Sequence, residues 1–553
     1  MKWKLLILFL IPLWVSSQNF YLKINGSSAK ETHIIDSIGY KKENSSVALV
    51  LESQKTFEQK LLSNGFFSYQ LKDQKKVNDS TFTFFYSLGN RINSIAIVTN
   101  QIKNEEKELL SLQTDTIYLK PNEVESWIQL KLAVLEQNGY ALSKLKLINQ
   151  KQRNTTIFAE LNLSLNNKRM VNDLVVLGYT KFPKNIKKNW LKKYKKQNFN
   201  QALLTEITND IEAFPFVMQT RNPELLFTKD STKIYTYLEK TKPNTFDGFI
   251  GFANDAENTK LIFSGYLDLH LINILNGGEK FKLNWRNDGN KQTSFHLGTE
   301  IPYVFKSPIG TKANLKIFKQ DSIFQNTQFN FDLGYYFSYT KKIFVGYQSI
   351  VSTDIQNANS ISLNNYNSVF YTLTFDYAKR NITSFIFPEK AKILLTTGIG
   401  NRTILQQKTK QFLAQLNAFY NLNLNEKNSI NLKNETFYLE SNAYVVNELY
   451  RFGGINSIRG FRENTLQANF FSGIMAEYRY LLSPSVYVNS ITDYGYFQDK
   501  TANLKGNLLG LGFGFGMLTK NGLFQFVYAN GSTNDHAIKL SNSIVQISFT
   551  TNF

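Results

Sequence analysis

The feature that most constrains the fold is an alternation of apolar and polar side chains, with a period of two, that begins near residue 245. From Phe329 to Tyr339 every odd-numbered residue is apolar or aromatic, and polar residues or glycine fill most even positions. The odd positions of Leu261–Leu271 and the even positions of Phe412–Leu424 are apolar or glycine in the same way. Successive side chains of a strand point to opposite faces, so each segment predicts a strand with one apolar and one polar face.

The alternation predicts about sixteen strands in residues 243–553. They begin near positions 246, 259, 278, 292, 311, 327, 341, 367, 391, 410, 427, 468, 485, 508, 521 and 540. An even number of strands of about ten residues is typical of a transmembrane β-barrel, which leaves no backbone group unpaired in lipid. A soluble β-sandwich also alternates. An export signal, the number of strands and the terminal phenylalanine favour the barrel.

The chain begins with the pattern of a secretory signal peptide, residues 1–17. Two lysines precede the apolar run Leu5–Val15, and Val15 and Ser17 are small enough for a cleavage site. The alternative is a membrane anchor, for which the run is too short. The sequence contains no cysteine, which excludes a lipoprotein, disulfides and a cysteine nucleophile. The mature protein is therefore expected to leave the cytoplasm.

Residues 18–242 predict a repeat with a period of about 75 residues. Each unit has a strand, one or two helices and a strand pair. The units are 18–90, 91–168 and 169–242, and their predicted helices cover 46–64, 123–138, 184–196 and 201–213. The first unit matches the pattern least clearly. Such units are small modules in series rather than one enzyme domain.

One predicted helix, Lys184–Lys196, contains seven lysines in a chain of formal net charge +20. It could face an anionic surface such as lipid headgroups or nucleic acid. The alternative is a solvated helix face, with Trp190, Leu191 and Tyr194 on the buried side, and the charge pattern favours it. Export from the cytoplasm disfavours nucleic acid.

One connection between predicted strands is unusually long, about thirty residues between the strands near 427 and 468. It contains RFGGINSIRGFR, residues 451–462. Its three glycines and its aromatic residues indicate an ordered loop that folds back. An arginine buried inside a barrel by such a loop needs carboxylate partners. The alternative is an arginine on the loop surface.

This motif resembles the sixth-loop signature of the outer-membrane protein assembly superfamily, which contains BamA, TamA and the two-partner secretion transporters. The usual signature is Val-Arg-Gly-Phe or Tyr, so Arg459, Gly460 and Phe461 match and Ile458 replaces valine. The resemblance implies periplasmic POTRA domains followed by a 16-stranded barrel in the outer membrane of a Gram-negative bacterium. Three units resemble the TamA arrangement more than the five of BamA.

The resemblance also implies acidic partners for the loop arginine on the twelfth and thirteenth strands. Glu477 resembles the first acid, and by alternation it shares a face with Gly473 and Arg479. Asp493 resembles the second acid, although Ile491 stands where the family often has phenylalanine. Arg459 with Glu477 and Asp493 is thus predicted to form a latch inside the barrel.

The predicted fourteenth strand alternates glycine with leucine or phenylalanine. Its glycines are Gly510, Gly512, Gly514 and Gly516. They are expected to face the lumen and leave room for the loop, or else to permit curvature of the strand.

The seam between the first and last strands is predicted to be weak. Phe246–Asn254 alternates poorly and contains Gly248 and Gly251, while the last strand places Phe549 and Phe553 on one face. A weak seam could open sideways and pair with an incoming strand. The implied function is insertion or translocation of proteins at the outer membrane. The implied partners are unfolded outer-membrane or secreted proteins, outer-membrane lipids, and periplasmic or inner-membrane accessory proteins.

The sequence predicts no enzyme, no cofactor and no metal site. The four histidines, His33, His270, His296 and His536, have no ligand spacing, and no nucleophile elbow, phosphate loop or zinc motif occurs. The alternatives are a two-partner-type secretion pore for one exported protein and a passive outer-membrane channel. The three-unit layout and the lack of an N-terminal plug helix disfavour the secretion pore. A closed, stable seam would favour the passive channel, and a lumen blocked by the loop would oppose it.

Overall fold

The computed structural model describes residues 19–254, 261–287, 292–356, 363–381, 384, 386–533 and 543–552. The predicted signal peptide, His536 and Phe553 lie outside these residues. The chain forms two compact units. One ends at Met170 and includes 197–201, and the other contains 171–196 and 202–553.

The first compact unit contains two modules of one sheet and two helices each. The elements of the first module are β1 (Phe20–Gly26), α1 (Ala29–Ile38), β2 (Glu43–Asn44), α2 (Val47–Ser63), β3 (Gln70–Asn78) and β4 (Thr81–Ser87). Those of the second are β5 (Ser94–Val98), α3 (Asn104–Leu109), β6 (Thr116–Leu119), α4 (Pro121–Gln137), β7 (Lys144–Arg153) and β8 (Thr156–Ser164).

The second compact unit begins with a third module of the same type. Its elements are β9 (Val171–Leu177), α5 (Lys184–Tyr194), α6 (Gln201–Glu212), β10 (Val217–Phe227) and β11 (Thr232–Lys240). In each module the first strand pairs parallel with the last, and the last pairs antiparallel with the strand before it. All three modules therefore share one POTRA-like topology, including the first, which the sequence matches least clearly.

Local sequence explains the helix starts, and it explains why two helices are missing from the prediction. Ser46 caps α2 by accepting a hydrogen bond from the backbone of Leu49, and Pro121 occupies the first turn of α4. Helix α1 buries only Ile35, and the six-residue α3 buries no side chain. The large apolar residues of α1, Ile34, Ile35 and Ile38, are confined to its second half, and the six-residue α3 is too short to show the apolar periodicity by which a helix is predicted.

The remaining strands form a closed barrel of sixteen antiparallel strands. They are β12 (Thr245–Asn254), β13 (Leu261–Ile272), β14 (Lys280–Asn287), β15 (Gln292–Ile301), β16 (Ile309–Gln320), β17 (Phe324–Tyr336), β18 (Lys341–Asp354), β19 (Tyr366–Arg380), β20 (Glu389–Ile404), β21 (Gln407–Asn423), β22 (Asn428–Ser441), β25 (Phe470–Ser483), β26 (Val486–Asp499), β27 (Leu504–Leu518), β28 (Gly522–Thr533) and β29 (Ile544–Asn552). Two short strands, β23 (Tyr450–Phe452) and β24 (Leu466–Ala468), pair with each other and are not part of the barrel sheet. The predicted barrel is confirmed, and each strand starts within four residues of its predicted position.

The outer face of the barrel is apolar, as the alternation predicts. On β17, Phe329, Phe331, Leu333 and Tyr335 are exposed, whereas the lumenal Asp332 is buried. Such an apolar outer surface is what a barrel inside a lipid bilayer requires. Among the described residues, no helix is both long enough and apolar enough to cross a membrane.

One position departs from the predicted pattern. The alternation places Tyr339 on the lipid-facing side, but its side chain is buried. The strand ends at Tyr336, and the ring of Tyr339 packs against Phe214 and Phe216 of the third module at 5.1 and 6.1 Å between ring centroids. Beyond the last ladder hydrogen bond, the period of two no longer determines the direction of a side chain.

Candidate functional site

The long connection between β22 and β25 is an ordered loop. It begins with a short 3₁₀ turn, Val446–Glu448, and its two short strands β23 and β24 form an antiparallel ladder. The backbone of Gly453 and Gly454 has positive φ at the far end of β23, where the chain turns into the segment that contains Arg459. The loop therefore has a base, defined here as Val445–Leu449, and a tip, defined here as Gly453–Thr465.

Arg459 at the loop tip is buried and meets both predicted acids. Its Nε and Nη2 donate to the two carboxylate oxygens of Asp493 at 2.8 and 2.6 Å, and its backbone N–H donates to Asp493 at 2.8 Å. Its Nη1 donates to Glu477. Asp493 is fully buried, so this two-pronged pairing takes place away from water. The structure thus brings the three predicted residues together.

A second arginine completes the charge balance. Arg479 donates from Nε and Nη2 to the other oxygen of Glu477 at 2.7 and 2.6 Å. Its guanidinium lies 4.5 Å from the ring centroid of Phe387. Two arginines and two carboxylates make a formally neutral group, which is the condition for burying charges without a large loss of stability. Arg459, Glu477, Arg479 and Asp493 are called the latch cluster below.

The neighbours of Arg459 hold the tip against the wall. Gly460 has φ +87°, and a Cβ there would meet the backbone of Asn530 and Gly531 on β28. Only glycine meets both demands, positive φ and close approach to a strand. Phe461 packs against a core that includes the fully buried Ile458, the position at which the motif departs from the usual valine.

The glycines of β27 serve more than one purpose. A Cβ on Gly510 would meet the carbonyl oxygen of Arg459, so this glycine does make room for the loop. A Cβ on Gly512 or Gly514 would meet the backbone of the neighbouring strand β28, and one on Gly516 would meet the ring of Tyr487. Room for the loop, one of the two predicted roles, therefore applies at Gly510. At the other three positions an added Cβ would meet the barrel wall itself, and the predicted role in strand curvature stays a prediction.

Replacing Gly510 with alanine is expected to destabilise the folded barrel by about 1–3 kcal/mol, because the new methyl group overpacks against the loop backbone. The measurement is the temperature at which the barrel loses its compact migration in detergent electrophoresis. Gly398→Ala is the matched control, since a Cβ there finds its nearest neighbour, the methyl group of Thr372, at 3.2 Å. Equal shifts for the two variants would show that the loop does not press on β27.

The base of the loop forms a second set of contacts with the barrel wall, called the second anchor below, which the sequence did not predict. Glu448 forms a buried ion pair with Arg402 of β20, and Gln411 Nε2 donates to Glu448 at 2.9 Å. Asn447 donates to Ser352 at 2.7 Å, and its carbonyl accepts from Asn326 at 2.6 Å. The alternation could have placed Arg402 in the lumen, on the face of Gly398 and Gly400, but nothing local identifies its partner.

Further contacts connect the loop to the remaining wall. Tyr450 donates to Glu435 of β22. Arg286 of β14 pairs with Glu463 of the tip, with 2.8 Å between nitrogen and oxygen. The loop therefore contacts strands on opposite sides of the lumen and crosses the interior of the barrel.

The seam between β12 and β29 is short. Within the described residues, only Thr245–Asn552 and Phe246–Thr551 are in register, whereas β12 shares ten register pairs with β13 and β29 shares eight with β28. Beside these two pairs, Thr550 donates to Asp247 at 3.3 Å.

Those of the predicted seam residues that the structure describes lie on β12 and β29, but not all of them contact the opposite strand. A Cβ on Gly248 would meet the backbone carbonyl of Tyr266 on β13 at 2.7 Å, and Gly248 also lines the cavity beside the seam. Gly251 lies in β12 opposite Ser264. Phe549 is exposed on the outer surface and lines a cavity of 280 Å³ beside the seam.

Metal chemistry has no candidate in the described part of the chain, where no group of three or more histidine, aspartate or glutamate side chains could hold an ion. The carboxylates of Glu477, Asp493 and Glu448 each pair with an arginine.

No family model and no curated protein matches the sequence. Solved structures do match. CdiB from Escherichia coli has a TM-score of 0.54 at 10% identity, covering 92% of this chain and 98% of that one. CdiB from Acinetobacter baumannii has a TM-score of 0.52 at 12% identity, covering 91% and 97%. At such identities the similarity concerns the fold. The chain has the fold of the outer-membrane protein assembly superfamily, in which POTRA-like modules precede a 16-stranded barrel.

Proposed function

We propose that the chain is an outer-membrane protein that inserts or translocates other proteins by opening the seam sideways, without an enzymatic step. The observation that supports this proposal most directly is the short β12–β29 seam. Every other pair of neighbouring barrel strands shares at least eight register pairs within the described residues. Opening the barrel at this seam therefore breaks the fewest backbone hydrogen bonds.

An open seam would expose a strand edge that can template another strand. Asp247–Asn254 of β12 has no register partner on β29 in the described residues. Its length exceeds that of a typical strand of about five to six residues. Unpaired N–H and C=O groups on such an edge recruit an extended polypeptide by backbone pairing, which depends little on the sequence of the incoming strand.

The three modules offer further edges of the same kind. Strands β3, β7 and β10 each lie at the edge of their sheet, and all nine residues of β3 are exposed. We place these modules in the periplasm, where their edges would hold unfolded outer-membrane or secreted proteins before these reach the barrel. Backbone pairing with the module edges would thus deliver the unfolded protein to the barrel.

Crosslinking tests the seam directly, in a chain that has no cysteine of its own. Phe246→Cys with Thr551→Cys joins two residues in register across the seam. Val527→Cys with Gln546→Cys is the matched control, because it joins β28 to β29 at a pair that does not need to open. Locking the seam is expected to lower the amounts of other outer-membrane proteins in cells, reduction to restore them, and the control crosslink to have no effect.

Equal protein amounts with the seam locked and reduced would contradict lateral opening. The chain would then be a two-partner-type secretion pore or a passive channel. Loss of one exported protein, with the other outer-membrane proteins unchanged, would indicate the secretion pore. Since the loop crosses the lumen, either pore would require the loop to move.

A further inference from the structure

A continuous line of side-chain contacts connects the tip of the loop to the seam. The carboxylate of Glu463, in the tip, pairs with Arg286 of β14 at 2.8 Å. The guanidinium of Arg286 lies 5.5 Å from the ring centroid of Tyr266 on β13, which is its register partner. The Tyr266 hydroxyl donates to Asp247 of β12 at 2.8 Å. All of these residues belong to the same compact unit.

Asp247 lies at the point where the backbone ladder of the seam ends. Within the described residues, the last register pair on that side is Phe246–Thr551. The next residues along the two strands are Asp247 and Thr550, and here the Thr550 hydroxyl donates to the Asp247 carboxylate at 3.3 Å. Beside this bond lies the cavity of 280 Å³, which Asp247 also lines. A side-chain hydrogen bond thus extends the seam by one residue beyond its backbone pairing.

The carboxylate of Asp247 connects strands on both of its sides. Its Oδ1 accepts from Tyr266 of β13, and its Oδ2 accepts from Thr550 of β29. Hydrogen bonds to an ionised carboxylate are stronger than those between neutral groups. Because ordering a free side chain costs entropy, the bond from Tyr266 favours the one orientation of the carboxylate that reaches Thr550.

Arg286 connects this carboxylate to the loop. A cation within about 6 Å of a tyrosine ring is attracted to the ring, so Arg286 and Tyr266 stabilise each other's position. The side chains of Arg286 and Glu463 are each 31% exposed, which makes their ion pair a weak one. A weak contact can be broken and formed again, which suits a connection to a movable tip.

We infer that the position of the loop tip controls the seam through these side chains. They are called the relay below: Glu463, Arg286, Tyr266, Asp247 and Thr550. While the tip is in place, the relay keeps the hydrogen bond between β12 and β29 formed. When the tip moves away, Asp247 loses its fixed orientation, and only two register pairs join the strands. The inference concerns the regulation of lateral opening, and it rests on the proposed function for its role in the cell.

The test measures hydrogen exchange of β29, Ile544–Asn552, in the purified full chain in phospholipid nanodiscs, because exchange of these amides reports opening of the seam. Glu463→Gln removes the charge that the tip contributes to the relay. Glu440→Gln is its matched control, since Glu440 is exposed at the end of β22 where the loop begins and is not part of the relay.

Tyr266→Phe removes the hydroxyl that orients Asp247 and keeps the ring beside Arg286. Its matched control is Tyr494→Phe, which removes a hydroxyl that donates to Asn507 at 3.1 Å, between β26 and β27 and away from the seam. Compact migration in detergent electrophoresis verifies that each variant is folded.

Tyr266→Phe is expected to accelerate exchange of β29 about tenfold, the effect of losing a hydrogen bond to a charged group. Glu463→Gln is expected to accelerate it about threefold, as for a partly exposed ion pair. Both controls should change it less than about 1.5-fold, as for a contact remote from the seam. In the Tyr266→Phe chain, Glu463→Gln should have no further effect, because the relay is already interrupted between the tip and Asp247.

Two results would overturn the inference. One is equal exchange in the Glu463→Gln and Glu440→Gln variants. The other is an additive effect of Glu463→Gln and Tyr266→Phe, which would show that the tip acts on the wall by another route. The crosslinking of the seam in cells is judged separately. Unchanged outer-membrane proteins with a locked seam would contradict the proposed function and leave the relay in place, whereas unaltered exchange in Glu463→Gln would contradict the relay alone.

Discussion

Arg459→Ala is expected to release the loop tip and to lower the free energy of unfolding of the barrel by about 3–5 kcal/mol. The substitution leaves Asp493 fully buried with no cation beside it, and Glu477 with Arg479 alone. An uncompensated buried carboxylate costs more than the lost hydrogen bonds themselves. The tip then loses the contact that holds Gly460 against β28.

Two measurements check this prediction. The temperature at which compact migration is lost should fall, and hydrogen exchange should rise in the tip, Gly453–Thr465, because exchange reports local opening. Arg462→Ala is the matched control, since Arg462 lies in the same tip with an exposed side chain.

Arg459→Lys tests the geometry of the pairing. It keeps the charge but loses the planar fork that serves both oxygens of Asp493, so its effect should be intermediate. If Arg459→Ala behaved like Arg462→Ala, the latch cluster would contribute nothing to the position of the loop.

Arg402→Ala is expected to free the loop base and to lower the free energy of unfolding by about 3 kcal/mol, because Glu448 remains buried without its cation. Hydrogen exchange should rise in Val445–Leu449 and remain low in the tip, since the latch cluster is intact. Lys408→Ala removes a cation from an exposed position near the same end of the barrel and serves as the control.

A double-mutant cycle separates the ion pair from its surroundings. Arg402→Ala combined with Glu448→Ala should destabilise the barrel by at least about 1 kcal/mol less than the sum of the two single changes. The reason is that the double variant removes both charges and leaves none of them buried without its partner. Additive effects would show that the two groups do not interact. If Arg402→Ala also loosened the tip, the base and the tip would form one cooperative unit.

The two anchors differ in how far the sequence could predict them. Arg459 lies in the loop motif, and the family resemblance of that motif, together with alternation on two strands, was sufficient to propose Glu477 and Asp493 as its partners. Arg402 and Glu448 are 46 residues apart, in segments without a recognisable motif. Their pairing depends on the path of the loop base across the lumen, which no local pattern encodes.

The same distinction applies to the other elements. The charge of α5 was evident from the sequence, whereas the set of its residues that is buried was settled only by the fold. Leu191, predicted on the buried side, is half-buried, and Ile186 takes the buried position one turn before Trp190. Packing against parts of the chain that are far away in the sequence decided which face of α5 is buried, within the range that helical spacing allows.

The sequence by itself determined the sixteen strands, the direction of their side chains and the repeat of the modules, because alternation and helix capping act between residues close in the chain. The tertiary structure alone decided the number of register pairs at the seam, the second anchor of the loop and the partner of each lumenal charge. These depend on how a closed barrel brings distant strands to opposite sides of one interior. In such an interior, a charge is stable only beside the partner that closure places within its reach.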